Sequence, residues 1–384
     1  NHFFAQYIYK FSGNLRHFWI KLIKILEVVN LKRRILFPLS LLLLLMLVLA
    51  TTTGCPGGNQ NNNNNTGNET PPTTDGEATE IDISALTAQW DESGHALINA
   101  NPAGRDGCIL CHDGHAFSQQ IDAMENIPEG RKVGEGEDAV AVTPTDCAAC
   151  HTAHGLELME NGTVDIPTAD DVGGGTGAMC MDCHNGRGNP DIADEERDAP
   201  HSSTQADVYT ATGGIRLEDF ELGSTGAHAN LENSCSDCHM AEDAAGFPYH
   251  GFDMPEDLIG SACSQCHGDM TEFNMTAGGD YDGDGETAGF QDEVEGLLTL
   301  NEEAISEALD GGSFSSSHGN LVFTDANDNE IEDVPDEVYL AAYNTYMVSN
   351  DGSLGIHNPA FTISLLQQSY QALTGEEVPN ADLK

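Results

Sequence analysis

Ten of the chain's eleven cysteines fall into five pairs. They read CILCH (108–112), CAACH (147–151), CMDCH (180–184), CSDCH (235–239) and CSQCH (263–267). In each, two residues separate the cysteines and a histidine follows at once. Zinc ribbons also use paired cysteines, but they ask for no histidine at the next position every time and do not favour an odd number of pairs. A disulfide framework suits an exported chain and again leaves the histidines unexplained. With 15 histidines in 384 residues, chance does not place five of them this way.

C-x-x-C-H is the attachment pattern of c-type haem. The physical reason is reach. Two thiols form thioethers to the two vinyl-derived carbons on one edge of the macrocycle, and two intervening residues bring both sulfurs to that edge. The next residue then lies under the iron and offers an imidazole nitrogen. The expectation is five haem c groups, held by Cys108 and Cys111, Cys147 and Cys150, Cys180 and Cys183, Cys235 and Cys238, and Cys263 and Cys266. Their proximal ligands are His112, His151, His184, His239 and His267.

The second axial position decides the chemistry. Histidine there closes the iron and suits electron transfer, methionine tends to raise the potential, and an open position permits catalysis. Five of the 15 histidines are proximal, and His2 and His17 lie near the N-terminus. Eight remain: His95, His115, His154, His201, His228, His250, His318 and His357. Ligation of all five irons by two histidines each is therefore within supply.

The chain resembles the multihaem cytochromes c of bacterial respiratory and extracellular electron transfer over residues 88–376. The resemblance lies in WDESGHA (90–96), CMDCHNGRGNP (180–190), APHSSTQADV (199–208), GAHANLENSCSDCHM (226–240), PYHGFDM with ACSQCH (248–267) and DGSLGIHNPAF (351–361). In that family the histidines of such stretches serve as distal ligands. This points to His95, His201, His228, His250 and His357. His154, in CHTAH, is a further candidate; His115 and His318 rank behind it. His154 cannot share the iron of His151, because three residues along one helix keeps both rings on the same side of the porphyrin. As a ligand it would have to reach another haem.

The elements that must position these groups are expected to be modest. Residues 108–267 would serve five haems with roughly 30 residues each, too few for a side-chain core of their own. The fold class expected is mainly α with extensive loops, little β, a haem chain as core, short helices after each motif, and C-terminal helices. Those helices show in the apolar spacing of Val294, Leu297, Leu298, Ile305 and Leu309, in Tyr339, Tyr343 and Tyr346 or Met347 along one face, and in Ile363, Leu366, Tyr370 and Leu373 behind Asn358-Pro359, an N-cap with proline at N1. DYDGDG (280–285) matches the start of an EF-hand calcium loop. Asp280, Asp282 and Asp284 would be ligands. The twelfth place is Gln291, with Asp292 and Glu293 just beyond, so a loop of another type could use one of those.

The remaining segments speak of export. Lys32-Arg33-Arg34 precedes an apolar run (35–50) and small residues, the order of a signal peptide. Thr53-Gly54-Cys55 resembles the lipobox of bacterial lipoproteins, with Thr52 where leucine is usual, making Cys55 the lipidation candidate. The domain plan expected is a leader to residue 30 ahead of the true start, a signal peptide (31–54), an Asn/Gly/Pro tether (55–82), a pentahaem domain (83–287) and a C-terminal helical segment (288–384). From Cys55 onward 7 basic residues face 62 acidic ones, which argues against nucleic acid.

The function expected is electron transfer between a membrane or periplasmic donor and a periplasmic or extracellular acceptor. The protein would sit at the outer membrane or cell surface on a lipid anchor. Two alternatives are a multihaem reductase and a subunit of an extracellular filament, with homo-oligomers in the latter case. Pentahaem nitrite reductases usually hold the catalytic haem through CxxCK, whereas all five motifs here end in histidine, so no enzyme activity is expected.

Overall fold

A computed structural model describes residues 81–384, apart from 194–196, 218, 219, 221 and 225. The leader, signal peptide, Cys55 and the tether as far as residue 80 lie outside the described residues. No helix among the described residues is long and apolar enough to cross a membrane.

The chain is mainly helical, with long loops and little strand. In order come α1 (Ile83–Glu92), α2 (Ile109–His112), α3 (Gly114–Gln119), β1 (Lys132–Val133), β2 (Val140–Ala141), α4 (Cys147–His151), α5 (Ala153–Asn161), β3 (Thr163–Ile166), β4 (Ala169–Gly173), α6 (Ala178–Cys183), α7 (Gln205–Tyr209), α8 (Cys235–His239) and α9 (Ile259–His267). Three longer elements and a hairpin follow: α10 (Phe290–Ala308), β5 (Ser313–Ser317), β6 (Asn320–Thr324), α11 (Asp336–Asp351) and α12 (Pro359–Thr374). The strands pair only as antiparallel hairpins: β1 with β2, β3 with β4, β5 with β6.

The largest apolar core lies among α10, α11 and α12. Val294, Leu297 and Ile305 of α10 meet Leu340 and Met347 of α11 and Phe361, Leu365 and Leu366 of α12, all essentially without exposure. The expected tyrosine stripe on α11 is wider than one face. Val338 through Thr345 are buried without a break, the pattern of a helix enclosed on all sides. The segment after the third motif supplies part of the cover. Thr204 Oγ1 donates to the Met347 carbonyl at 2.7 Å, and Asn344 accepts from the Ile215 N–H at 2.8 Å while donating to the Ile215 carbonyl at 2.9 Å. Asn358 starts α12 with Pro359 in its first turn, as the sequence predicts, and its Nδ2 reaches the Tyr209 carbonyl at 2.9 Å. The C-terminal helices are thus tied to the motif region by buried polar bonds, which are costly to leave unmade.

A second, smaller core surrounds α6, where Ala178 and Met181 are fully buried with Phe117, Ala149, Leu158, Val164 and Ala206. The glycine run before α6 brings the fourth motif onto the third. A Cβ at Gly175 would collide with the Glu232 carbonyl, and one at Gly177 with Ser234 Oγ and the Asn233 carbonyl. Ser234 Oγ instead donates to the Gly174 carbonyl at 2.9 Å.

Candidate haem-binding site

Each motif is itself helical. The second and fourth coincide with α4 and α8, the first runs from Cys108 through α2, the third ends α6, and the fifth forms the last turns of α9. Short helices were expected after the motifs; such helices follow only the first two, as α3 and α5. The reason lies in the spacing. Residues i, i+3 and i+4 of a helix share one face, so a helical turn presents two thiols and an imidazole together. Local capping sets the turns. Asp146 accepts from the N–H groups of Ala148 (2.9 Å) and Ala149 (3.1 Å) ahead of α4. Asp113, buried directly after His112, accepts from Ala116 and Thr143 at 2.8 Å each.

Every motif histidine faces a second histidine from elsewhere in the chain. His184 faces His95 with ring centres 6.0 Å apart, His112 faces His201 at 6.1 Å, and His151 faces His250 at 6.4 Å. His267 faces His228 and His239 faces His357, both at 6.1 Å. Two imidazole–metal bonds of about 2.0 Å, with roughly 1.1 Å from each nitrogen to its ring centre, would separate ring centres by about 6.2 Å. The five spacings match that figure, so the donor set fits an iron between each pair. The ring planes differ: 28° for His151–His250, 47° for His239–His357, 50° for His112–His201, 68° for His228–His267 and 79° for His95–His184.

Hydrogen bonds at Nδ1 orient many of these rings. Backbone carbonyls accept from His239 (Phe252, 2.8 Å), His228 (Ile356, 2.8 Å) and His250 (Pro248, 2.7 Å). His201 Nδ1 lies 2.8 Å from Ser203 Oγ, whose own proton goes to the Asn185 carbonyl at 3.1 Å. His184 Nδ1 lies 3.3 Å from Gln205 Oε1, and Gln205 Nε2 donates to the Asn350 and Asp351 carbonyls. His357 Nδ1 meets the Asp351 carboxylate at 2.5 Å. A proton held on Nδ1 leaves the Nε2 lone pair for a metal. Burial and the nearby His184 push His95 down to about 4; burial, Arg187, His112 and His184 do the same to His201. Both rings are therefore neutral at neutral pH. The sequence pointed to none of Gln205, Ser203 or Asp351, although Asp351 stands six residues before His357 in a quoted stretch.

Cysteines of different motifs also come near one another. Cys111 lies beside Cys183, and Cys180 beside Cys235. Cys150 lies close to Cys180, and Cys263 close to Cys238. The third motif therefore adjoins the first, second and fourth, and the fourth adjoins the fifth. Arg187 lies near His112, His184 and His201; among the described residues nothing pairs with its guanidinium.

His154, the sixth candidate distal ligand, faces no motif histidine. Its Nε2 lies 3.2 Å from Asp182 Oδ2 and its ring packs edge-on to Phe117 at 5.2 Å. His318 sits in the β5–β6 turn, with Nδ1 2.9 Å from Ser317 Oγ. In the acidic loop, carboxylate oxygens of Asp280, Asp282 and Glu293 come within 4.8 Å of one another. Asp284 is not of that group. Glu293, almost fully buried at the start of α10, takes its place and accepts from the N–H groups of Tyr281 and Ala288 at 2.7 Å each. Burial and the neighbouring acids raise Asp282 above the usual carboxylate range, though its backbone bond to Asp284 opposes this.

A family model described as cytochrome c552 matches residues 87–378. A solved structure, that of the outer cell wall cytochrome OcwA, is similar at 21% identity with a TM-score of 0.45, over 74% of this chain and 50% of that one. This chain thus spans half the length of that cytochrome. No curated protein matches.

Proposed function

The chain belongs to the cytochrome c552 family, and on that premise we propose that it carries five c-type haems, each between two histidines, and passes electrons along them. As a c-type cytochrome it binds haem c and transfers electrons. The observation that carries the finer reading is the set of five facing histidine pairs. Bound haem supplies one-electron exchange at iron. The chain would do the rest: the paired cysteines would hold each group covalently, the facing imidazoles would ligate its iron, and the Nδ1 partners hold the rings. Arg187 suits the carboxylate side chains of haem, with which a guanidinium pairs well. The nearness of the cysteines makes the third motif a junction and leads from it through the fourth to the fifth. Donor and acceptor are redox partners outside the cytoplasm, reached from a membrane surface to which Cys55 anchors the chain.

Mass spectrometry of the intact holoprotein should show five haems. Low-temperature EPR of the oxidised protein should show only low-spin iron, with signals spread from near-parallel to near-perpendicular ligand planes. A stoichiometric high-spin signal would mean an open iron and favour a reductase. His154→Ala should leave all five irons low-spin; a new high-spin signal would make His154 a ligand.

The loop at Asp280, Asp282 and Glu293 is, in the same reading, a calcium site that pins α10 to the motif region. Calcium at a hundred times its Kd should stabilise the fold by about 2.7 kcal/mol. A melting temperature that falls on chelation and recovers with Ca²⁺ supports this; one unmoved by either rules it out.

A further inference from the structure

We propose that Asp351 is a positioning residue that holds down the reduction potential of the haem carried by Cys235, Cys238 and His239. The inference rests on the bis-histidine reading above. His357 faces His239, and Asp351 Oδ1 lies 2.5 Å from His357 Nδ1. The other Nδ1 partners described above are uncharged: three backbone carbonyls, one amide and one hydroxyl. The Asp351 side chain is wholly buried. It is also the last residue of α11, where the helix dipole disfavours a negative charge. Among the described residues its one ion pair is with His357, while Ser353 donates to its other oxygen through both N–H and Oγ.

A buried carboxylate is costly unless paired. A ferric iron in a doubly negative porphyrin with two neutral imidazoles carries one net positive charge. Taking one electron from a neighbouring haem makes that centre neutral. The carboxylate therefore stabilises the oxidised form, directly and by drawing the Nδ1 proton of His357 so that the ring donates more strongly to iron. The same helix end reaches a second centre, since the Asp351 carbonyl accepts from Gln205 and Gln205 meets His184.

The test is a spectroelectrochemical titration of the full-length holoprotein and Asp351→Asn. The affected centre is identified as the one missing from a Cys235→Ala/Cys238→Ala variant. At fixed applied potential its ferrous-to-ferric ratio should rise about tenfold, which is about 59 mV for a one-electron couple, and Asp351→Glu should restore it. The other four should stay in place. Five low-spin signals with five unchanged potentials in Asp351→Asn would overturn the proposal. Loss of a haem, or an open iron at Cys235–His239 in the native protein, would instead overturn the ligation on which it rests. Should Asp351→Asn fail to fold, Ser353→Ala is the second variant. Removing a competing donor should lower the same potential, and no change would count against Asp351.

Discussion

Replacing Cys180 and Cys183 together by alanine is expected to remove one haem of the five and to sever the electron path at its junction. Cys183 lies beside Cys111 of the first motif, and Cys180 lies beside Cys235 of the fourth and close to Cys150 of the second. Without the third group, the first and second lose the neighbour that their cysteines approach, and the fourth and fifth survive as a pair. The fold should suffer as well. Ala178 and Met181 beside the motif are fully buried, and an emptied space next to such a core costs about 2–5 kcal/mol, the range for large-to-small core changes. The checks are mass spectrometry for haem number, a thermal melt, and the rate at which a reductant-loaded sample equilibrates its remaining centres. That rate should fall by orders of magnitude. A variant with four haems and an unaltered rate would remove the third motif from the path.

Replacing His201 by alanine should have a comparably large effect of a different kind. The ring stands 6.1 Å from His112 and is held by Ser203, and the backbone N–H of His201 donates to the Gly186 carbonyl at 2.9 Å. On the proposed ligation, removing the imidazole would leave one iron in five with an open face. The oxidised protein should then show one high-spin centre by EPR, and the reduced protein should bind one carbon monoxide, where the parent binds none. Added imidazole should reverse both. If the variant stays wholly low-spin and inert to carbon monoxide, the facing pair His112–His201 is not a ligand pair.

The motifs were legible because their chemistry is local. Two thiols and an imidazole at i, i+3 and i+4 need only one helical turn, and each motif sits on one. The late helices were legible for a similar reason, an apolar period confirmed by Asn358-Pro359 at the start of α12. Which distal histidine faces which motif was not legible. His95 precedes all the motifs yet faces the third, and His357 near the C-terminus faces the fourth; only the packed fold sets such pairings. His154 shows the limit of adjacency: its place in CHTAH leaves it either a ligand to a second iron or a spare, and in the fold its ring lies against Phe117 and Asp182. In the acidic loop the expected Asp284 gives way to Glu293, because α10 begins where its buried carboxylate can turn back onto the loop. Asp351 escaped notice because an aspartate in an acidic chain carries no signal until its burial is known.

The glycines before α6 acquire another meaning once electrons are to cross between the third and fourth motifs. At Gly175 and Gly177 the chain before α6 meets the Glu232–Ser234 stretch with no side chain of its own at the crossing. Tunnelling decays exponentially with the gap between centres, so the thickness of the chain at this crossing is an electrical quantity as well as a steric one. A methyl group there would act as added insulation. What composition records as small, featureless residues is, at this point, the thinnest layer of dielectric that a polypeptide can offer.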